Sequence, residues 1–213
     1  MFKVLSFIVF FAMSVGTDAK AANEQRPSQP KEFVQHVSDQ IIHLIGQKEL
    51  SQNEKEYQFG EILDHYFSIN SIGRFVLGRY WRLATKDEKR EYLNLFRDVI
   101  VETYASQFDS YANEVISVAG MYTTSDKGIV VETKISSKSK EPIRCDWKLY
   151  ETDGIIHIYD IIINGVSMSV TQRSEYSALI RKKGGQVSGL LEAMREKIKE
   201  FNAEEELSVK TKS

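Results

Sequence analysis

The sequence predicts an α+β fold in which helices pack on a curved, four-stranded, mainly antiparallel sheet. Three observations carry that expectation. Apolar residues recur at helical spacing through the first half of the chain, the period drops to two from residue 114, and helical spacing returns after Gly165.

Phe33, Val37, Ile41, Leu44 and Ile45 form one helical stripe, and Glu54 to Phe67 makes a second helix with Tyr57, Ile62 and Tyr66 inward. A third, shorter helix carries Ile72, Phe75, Val76 and Leu77 and reaches Trp81. Thr85-Lys-Asp-Glu88 then reads as a capping box, in which a threonine hydroxyl and a glutamate carboxylate satisfy free amides at a helix start. The helix it opens is expected to be the longest, ending near Tyr111. Tyr92, Leu95, Phe96, Val99, Ile100, Thr103, Tyr104 and Phe108 share its apolar face, with Lys86, Lys89, Arg90 and Arg97 toward water.

Four strands follow, Val115 to Met121, Ile129 to Ile135, Ile143 to Tyr150 and Ile155 to Ile163, joined by short polar turns that suit antiparallel neighbours. In the third, Ile143, Cys145, Trp147 and Leu149 share one face while Arg144, Asp146 and Lys148 share the other, so one sheet face is wet. After Gly165 the stretch VSMSVTQRSEY crosses to a helix with Tyr176, Leu179 and Ile180 inward, closed by Lys183-Gly184. A last helix, Gln186 to Phe201, buries Val187, Leu190, Leu191, Met194 and Ile198.

The 213 residues, 42% hydrophobic and 27% charged, suit a single domain, placed at residues 33–202. A formal charge of -2 gives no bulk attraction to nucleic acid, so a charged partner must be met by a local patch. Lys3, the apolar run Val4 to Met13 and the Ala19-Lys20-Ala21 tripeptide read as a signal peptide over residues 1–22, cleaved after Ala21 or Ala22. The run is short of the ~20 apolar residues a membrane span needs. Residues 23–32 read as a polar leader and 203–213 as a charged, flexible tail. Cys145 is the only cysteine, so no internal disulfide can form, and its place among alternating apolar residues marks it as buried and inert.

Chemistry is sparse. His36, His43, His65 and His157 offer no HExxH spacing and no cysteine partner for zinc. Gly165-Val-Ser167-Met-Ser169 approximates a nucleophile elbow, but serine replaces the last glycine and the context reads as a strand running into a loop. Gly184-Gly185 is too isolated to cradle a phosphate. Asp160 reads as a strand-end hydrogen-bonding residue or a partly buried acid. No catalytic set or cofactor motif emerges, and the expectation is a binding protein, not an enzyme. A concave sheet faced by helices is either a filled core or a lined cavity, and periodicity does not distinguish the two.

Several landmarks occur together and in register: Phe75-Val-Leu-Gly-Arg-Tyr-Trp-Arg82, Thr85-Lys-Asp-Glu-Lys-Arg90, Thr103-Tyr-Ala105 with Tyr111, Tyr159-Asp160, Gly165-Val-Ser167, and Arg173-Ser174 with Tyr176. Over residues 33 to 195 their order and spacing resemble the MlaC-type periplasmic phospholipid-binding proteins, the toluene-tolerance auxiliary family. The chain departs from the family at Ile156-His157-Ile158, where a Trp commonly precedes the Tyr-Asp pair, at Tyr176, where a Phe is common, and at Thr171-Gln172, where Asn-Tyr is common.

The resemblance implies an NTF2-like fold and a soluble, monomeric periplasmic carrier. Its cargo would be glycerophospholipid, passed between an inner-membrane ABC transporter complex and an outer-membrane lipoprotein complex. Candidate lining residues are Phe75, Leu77, Phe96, Ile100, Tyr104, Val131, Trp147, Ile161 and Val166, each equally readable as ordinary core, with Tyr176 near the mouth. Arg173 would touch the lipid phosphate or pair with Asp160, and Arg79 and Arg82 would cap a helix or form a docking surface. The alternatives are an NTF2-like enzyme using Asp160 or Tyr104 in a closed pocket, and an adaptor with no cavity.

Overall fold

The computed structural model describes residues 27–111, 114–137 and 140–212; the expected signal peptide and its cleavage site lie outside the described residues. Helix α1 (Pro30–Gly46) begins inside the segment expected as leader, with Pro30 at its first position, where a missing N–H costs nothing. Helix α2 (Gln52–Tyr66) is opened by its own capping box: the Glu54 N–H donates to Ser51 Oγ at 3.3 Å and the Ser51 N–H to the Glu54 carboxylate at 2.8 Å.

Helix α3 (Ile69–Leu77) stops at Gly78, whose φ of 58° and ψ of -125° exclude side-chain-bearing residues; a 3-10 turn (Gly78–Arg82) replaces the expected helical run to Trp81. Helix α4 (Lys86–Ala105) starts from the Thr85 box, with bonds of 2.8 and 3.2 Å, and ends before a separate 3-10 turn (Phe108–Tyr111). Arg97, expected in water, instead donates from Nε to both oxygens of Asp64 at 2.9 Å, tying α4 to α2.

The sheet comprises β1 (Val115–Thr123), β2 (Ile129–Ser137), β3 (Lys140–Thr152), β4 (Ile155–Ile163) and β5 (Val166–Ser167), in that order, with every neighbouring pair antiparallel. The four expected strands gain the two-residue β5, because Asn164 (φ 48°) and Gly165 (φ 83°) make a hairpin turn. From Ser167 the chain enters α5 (Met168–Lys182) directly, with Ser167 Oγ accepting from the Val170 N–H at 3.1 Å; no loop runs to Tyr176. Helix α6 (Val187–Lys212), at 26 residues, is the longest described. The expected tail continues it because residues 203–212 are mostly good helix formers without Gly or Pro.

A bulge in β4 decides which residues face the helices. Lys148 pairs with Asp160 but Leu149 pairs with Ile158, leaving Tyr159 as the extra residue. Ile156 and Ile158 before the bulge, and Ile161 and Ile163 after it, therefore join one apolar cluster. On the outer face Arg144 donates from Nε to both Asp146 oxygens at 2.9 Å and from Nη2 to Glu132 at 2.6 Å, bridging two acids that oppose each other across β2 and β3.

Two apolar cores result. Phe33, Val34 and Val37 of α1, all fully buried, lie with Val131, Trp147, Leu149 and Ile158 of the sheet. Leu77, Tyr92, Phe96, Ile180 and Leu190 centre the second core, built from helices α2 to α6 and closed by Leu44 and Ile45 from the end of α1. Ile41, Ile62 and Phe67 pack against both. Just beyond α2, Phe67 bridges β4 at Ile158 and the Ser68 N–H donates to the Ile158 carbonyl at 2.9 Å, pinning the helices to the sheet. Leu77→Ala, which hollows the helical core, is expected to cost about 2–5 kcal/mol, seen as a lower urea midpoint at an unchanged m-value.

Candidate functional site

Between the two cores lies a cavity of about 320 Å³. Its floor is built from cross-strand pairs of the sheet: Ile116 opposite Ile135, Cys145 opposite Ile163, and Trp147 opposite Ile161. Ile41, Ile42 and Ile45 of α1, with Phe59 and Leu63 of α2, form one side. Ile69, Ile72 and Val76 of α3 contribute a stripe at helical spacing, and Phe96, Ile100 and Tyr104 do so from α4. The wall is apolar apart from a few groups, among them Glu114, Asp160, Ser169 and Gln172. Tyr104 and Tyr111, 45% and 38% exposed, mark one place where this wall meets solvent.

The polar atoms close to the wall are turned to structural partners. Trp147 Nε1 donates to Thr133 Oγ1 at 3.1 Å, and that hydroxyl donates to the Cys145 carbonyl at 2.6 Å, so the indole ring is anchored from behind. Burial pushes the Cys145 thiol up to about 12, leaving it protonated and unreactive. Asp160 accepts from Ser167 Oγ at 2.5 Å and from the Ser169 N–H at 3.0 Å, which places its carboxylate at the N-terminus of α5. The strand-to-helix turn that an elbow requires is therefore present at Ser167. Its hydroxyl, however, serves Asp160 and its own helix, with Ser169 Oγ 3.3 Å away and no histidine bonded to it among the described residues. Desolvation, followed by the nearby Tyr111 and Glu175, raises the Tyr104 phenol above its ordinary value, away from the range useful for proton transfer near neutrality.

Of the residues singled out in the sequence, Phe96, Ile100, Tyr104, Trp147 and Ile161 meet at this cavity. Leu77 and Tyr176 pack in the helical core, where Tyr176 sits edge-on to Tyr92 and Phe96 at 6.3 Å instead of at a mouth. Val131 opposes Trp147, but it lies in the sheet core with the first half of α1 and is fully buried. Val166 is 54% exposed on the short strand β5. Phe75 and Arg173 line a different hollow: the stripe of Ile69, Ile72 and Val76 turns Phe75 away from the cavity, and the Arg173 guanidinium lies 4.9 Å over the Phe75 ring. Arg173 forms no ion pair with Asp160, whose oxygens accept from the two serines.

Isoleucine is the commonest residue type in the lining missed from the sequence. Ile41 and Ile45 were visible as a helical stripe but indistinguishable from core, and Ile163 follows from Ile161 by strand alternation. Among the described residues no three histidine, cysteine or acidic groups gather as a metal site, and no helix is long and apolar enough to cross a membrane.

An antiparallel sheet covered by helices, with an apolar cavity left in the seam, defines an α+β domain whose interior is partly unfilled. The MlaC protein family matches residues 35–196, and the chain belongs to that family. It is similar to the intermembrane phospholipid transport system binding protein MlaC of Haemophilus influenzae, at 22% identity over 123 residues covering 56% of this chain; the match spans 58% of that relative's length. The phospholipid-binding protein of Ralstonia solanacearum, solved in complex with a phospholipid, superposes with a TM-score of 0.70 at 19% identity, over 81% of this chain and 98% of that one. That likeness establishes a shared fold.

Burial raises Tyr92, Tyr176 and Cys145 above their ordinary values of 10.0, 10.0 and 9.0, so the folded chain holds these protons where the unfolded chain releases them. Their contribution to stability is complete below about pH 9 and declines above it. Thermal melts at pH 8 and pH 11 are expected to show the midpoint falling at the higher pH, with a further rise in tyrosinate absorbance from Tyr92 and Tyr176 accompanying loss of the fold.

Proposed function

We propose that the protein is a periplasmic lipid carrier, holding phospholipid acyl chains in the seam cavity. It would pass them as a monomer between an outer-membrane lipoprotein complex and an inner-membrane ABC transporter complex, with lipid as cargo, no cofactor and no reaction catalysed. The observation carrying this reading is the wall itself, in which isoleucine and aromatic groups from both layers face an unfilled space of about 320 Å³. The transport role named for the Haemophilus relative, and the phospholipid held by the Ralstonia one, support it.

The energetics set how such a carrier works. At ~0.8 kcal/mol per buried CH2, two chains of about 16 carbons represent roughly 25 kcal/mol gross. Such a ligand does not leave into water at a useful rate, so transfer requires docking against a partner that offers an equally apolar path. The cavity sits near the lower end of the ~300–1,000 Å³ typical of small-molecule pockets. A two-chain lipid therefore widens the seam, and separate cores on its two sides let it part with repacking centred on Ile41, Ile62 and Phe67.

Organic extraction of the purified protein followed by mass spectrometry is expected to yield phospholipid; a lipid-free protein unable to take lipid up would overturn the reading. Ile161→Trp, which thickens the cavity floor, is expected to lower lipid per protein several-fold while shifting the melting temperature little. The volume alone also fits the small-substrate enzyme, but both Asp160 oxygens are engaged at the start of α5. Asp160→Asn, which keeps one acceptor oxygen but removes the negative charge at the start of α5, is accordingly expected to cost about 0.3–1 kcal/mol of stability and to leave lipid content unchanged.

A further inference from the structure

On the side of α3 turned away from the cavity lies a shallow hollow of about 530 Å³. Four arginines line it, Arg74, Arg79, Arg82 and Arg173, together with the rings of Phe75 and Trp81. Arg90, Arg97, Arg144 and Arg195 each pair with a carboxylate, whereas none of these four does among the described residues.

Three of the four are positioned by aromatic faces. Arg74 lies 5.9 Å from the Trp81 ring, Arg173 lies 4.9 Å from Phe75, and Arg79 lies 4.9 Å from Tyr80 while donating to its hydroxyl at 2.9 Å. Stacking of this kind orients a guanidinium without consuming all of its edge N–H groups. Gly78 makes room for one of them: a Cβ there would stand 3.0 Å from Arg173 Nε and 3.1 Å from Cζ and Nη2. Lys89 adds charge nearby, its ammonium 5.6 Å from the Trp81 ring.

A cation at the C-terminal end of α3 is favoured by the helix dipole, which accounts for Arg74 and Arg79. It does not account for Arg173, which arrives from α5 and enters the same hollow. Four like charges around one depression repel each other, and an oxyanion seated among them would relieve that repulsion through forked, charge-assisted hydrogen bonds. Leu83, 71% exposed next to Arg82, and Phe75, 42% exposed, give the region an apolar fringe of the kind that accompanies an esterified phosphate.

We propose that this hollow is a binding site for an anionic phosphate group, carried by a phospholipid head group or free in solution, and separate from the acyl-chain cavity. It stands on the arginines and does not require the cavity to hold lipid.

The test uses the whole protein in two arms. Thermal stability is measured in inorganic phosphate and in chloride at equal ionic strength. Co-sedimentation is measured with vesicles of phosphatidylglycerol and of phosphatidylcholine. Stabilisation by phosphate alone identifies a free-phosphate site, preference for phosphatidylglycerol alone identifies a head-group site, and both together identify a site that reads phosphate from either source. Arg79→Gln with Arg82→Gln is expected to weaken the effect roughly tenfold or more, the scale of losing charge-assisted bonds. If that pair does not fold, the single exposed Arg82→Gln gives the same reading. Ile161→Trp separates the two sites, since vesicle association is expected to survive it while extracted lipid falls. No phosphate stabilisation beyond chloride together with equal sedimentation on the two vesicle types overturns the proposal, as does binding that folded arginine variants retain in full.

Discussion

An apolar sheet face has to be covered, and α1 covers only part of this one. The first half of that helix, through Phe33, Val34 and Val37, joins Val131, Leu149 and Ile158 in one core. Its second half turns to the other helices, with Leu44 and Ile45 joining their core, and presents Ile41, Ile42 and Ile45 to the cavity. The remainder of the sheet thus faces a roof belonging to a different core. Neither core fills the seam because each wall is held from its own side: Trp147 through Thr133, and α4 through Arg97 to Asp64 and through the Tyr92 hydroxyl donating to the Gly73 carbonyl at 3.0 Å.

The placement of polar groups follows the same logic. Asp160 could have left a charge facing the cavity, but it binds the first turn of α5 and so joins β4 to the helix that follows β5. What is left on the wall attracts by contact area more than by direction, which suits flexible chains better than a rigid substrate. Helix α3 then separates two environments. Ile69, Ile72 and Val76 border the apolar cavity, while Ser71, Arg74 and Phe75 border the arginine hollow. Helix α5 repeats the division with Gln172 on one side and Arg173 on the other.

Some of this was legible in the residues. The Thr85 capping box marked the start of α4, and an equally plain box at Ser51-Gln-Asn-Glu54 stood one turn ahead of the expected start of α2. Strand alternation placed Cys145, Trp147 and Leu149 on the inner face. The β4 bulge was not legible, because isoleucines at 155, 156, 158, 161, 162 and 163 occupy both parities of a strict alternation. Phe75 was misleading for a simpler reason: its aromatic bulk matches a cavity wall, but its angular position on α3 belongs to the opposite face.

Order of elements, helix starts and the identity of the inner sheet face rest on interactions between near neighbours, and those leave a periodic trace along the chain. An unfilled space leaves none. It depends on whether Ile41, Phe96, Ile116 and Ile163, distant in sequence, stop short of touching, and a side chain bordering a void has the same pattern as one packed against a partner. The convergence of Arg173 with Arg74, Arg79 and Arg82 is of the same kind, for it required α5 to return beside α3 before any local pattern could carry a meaning.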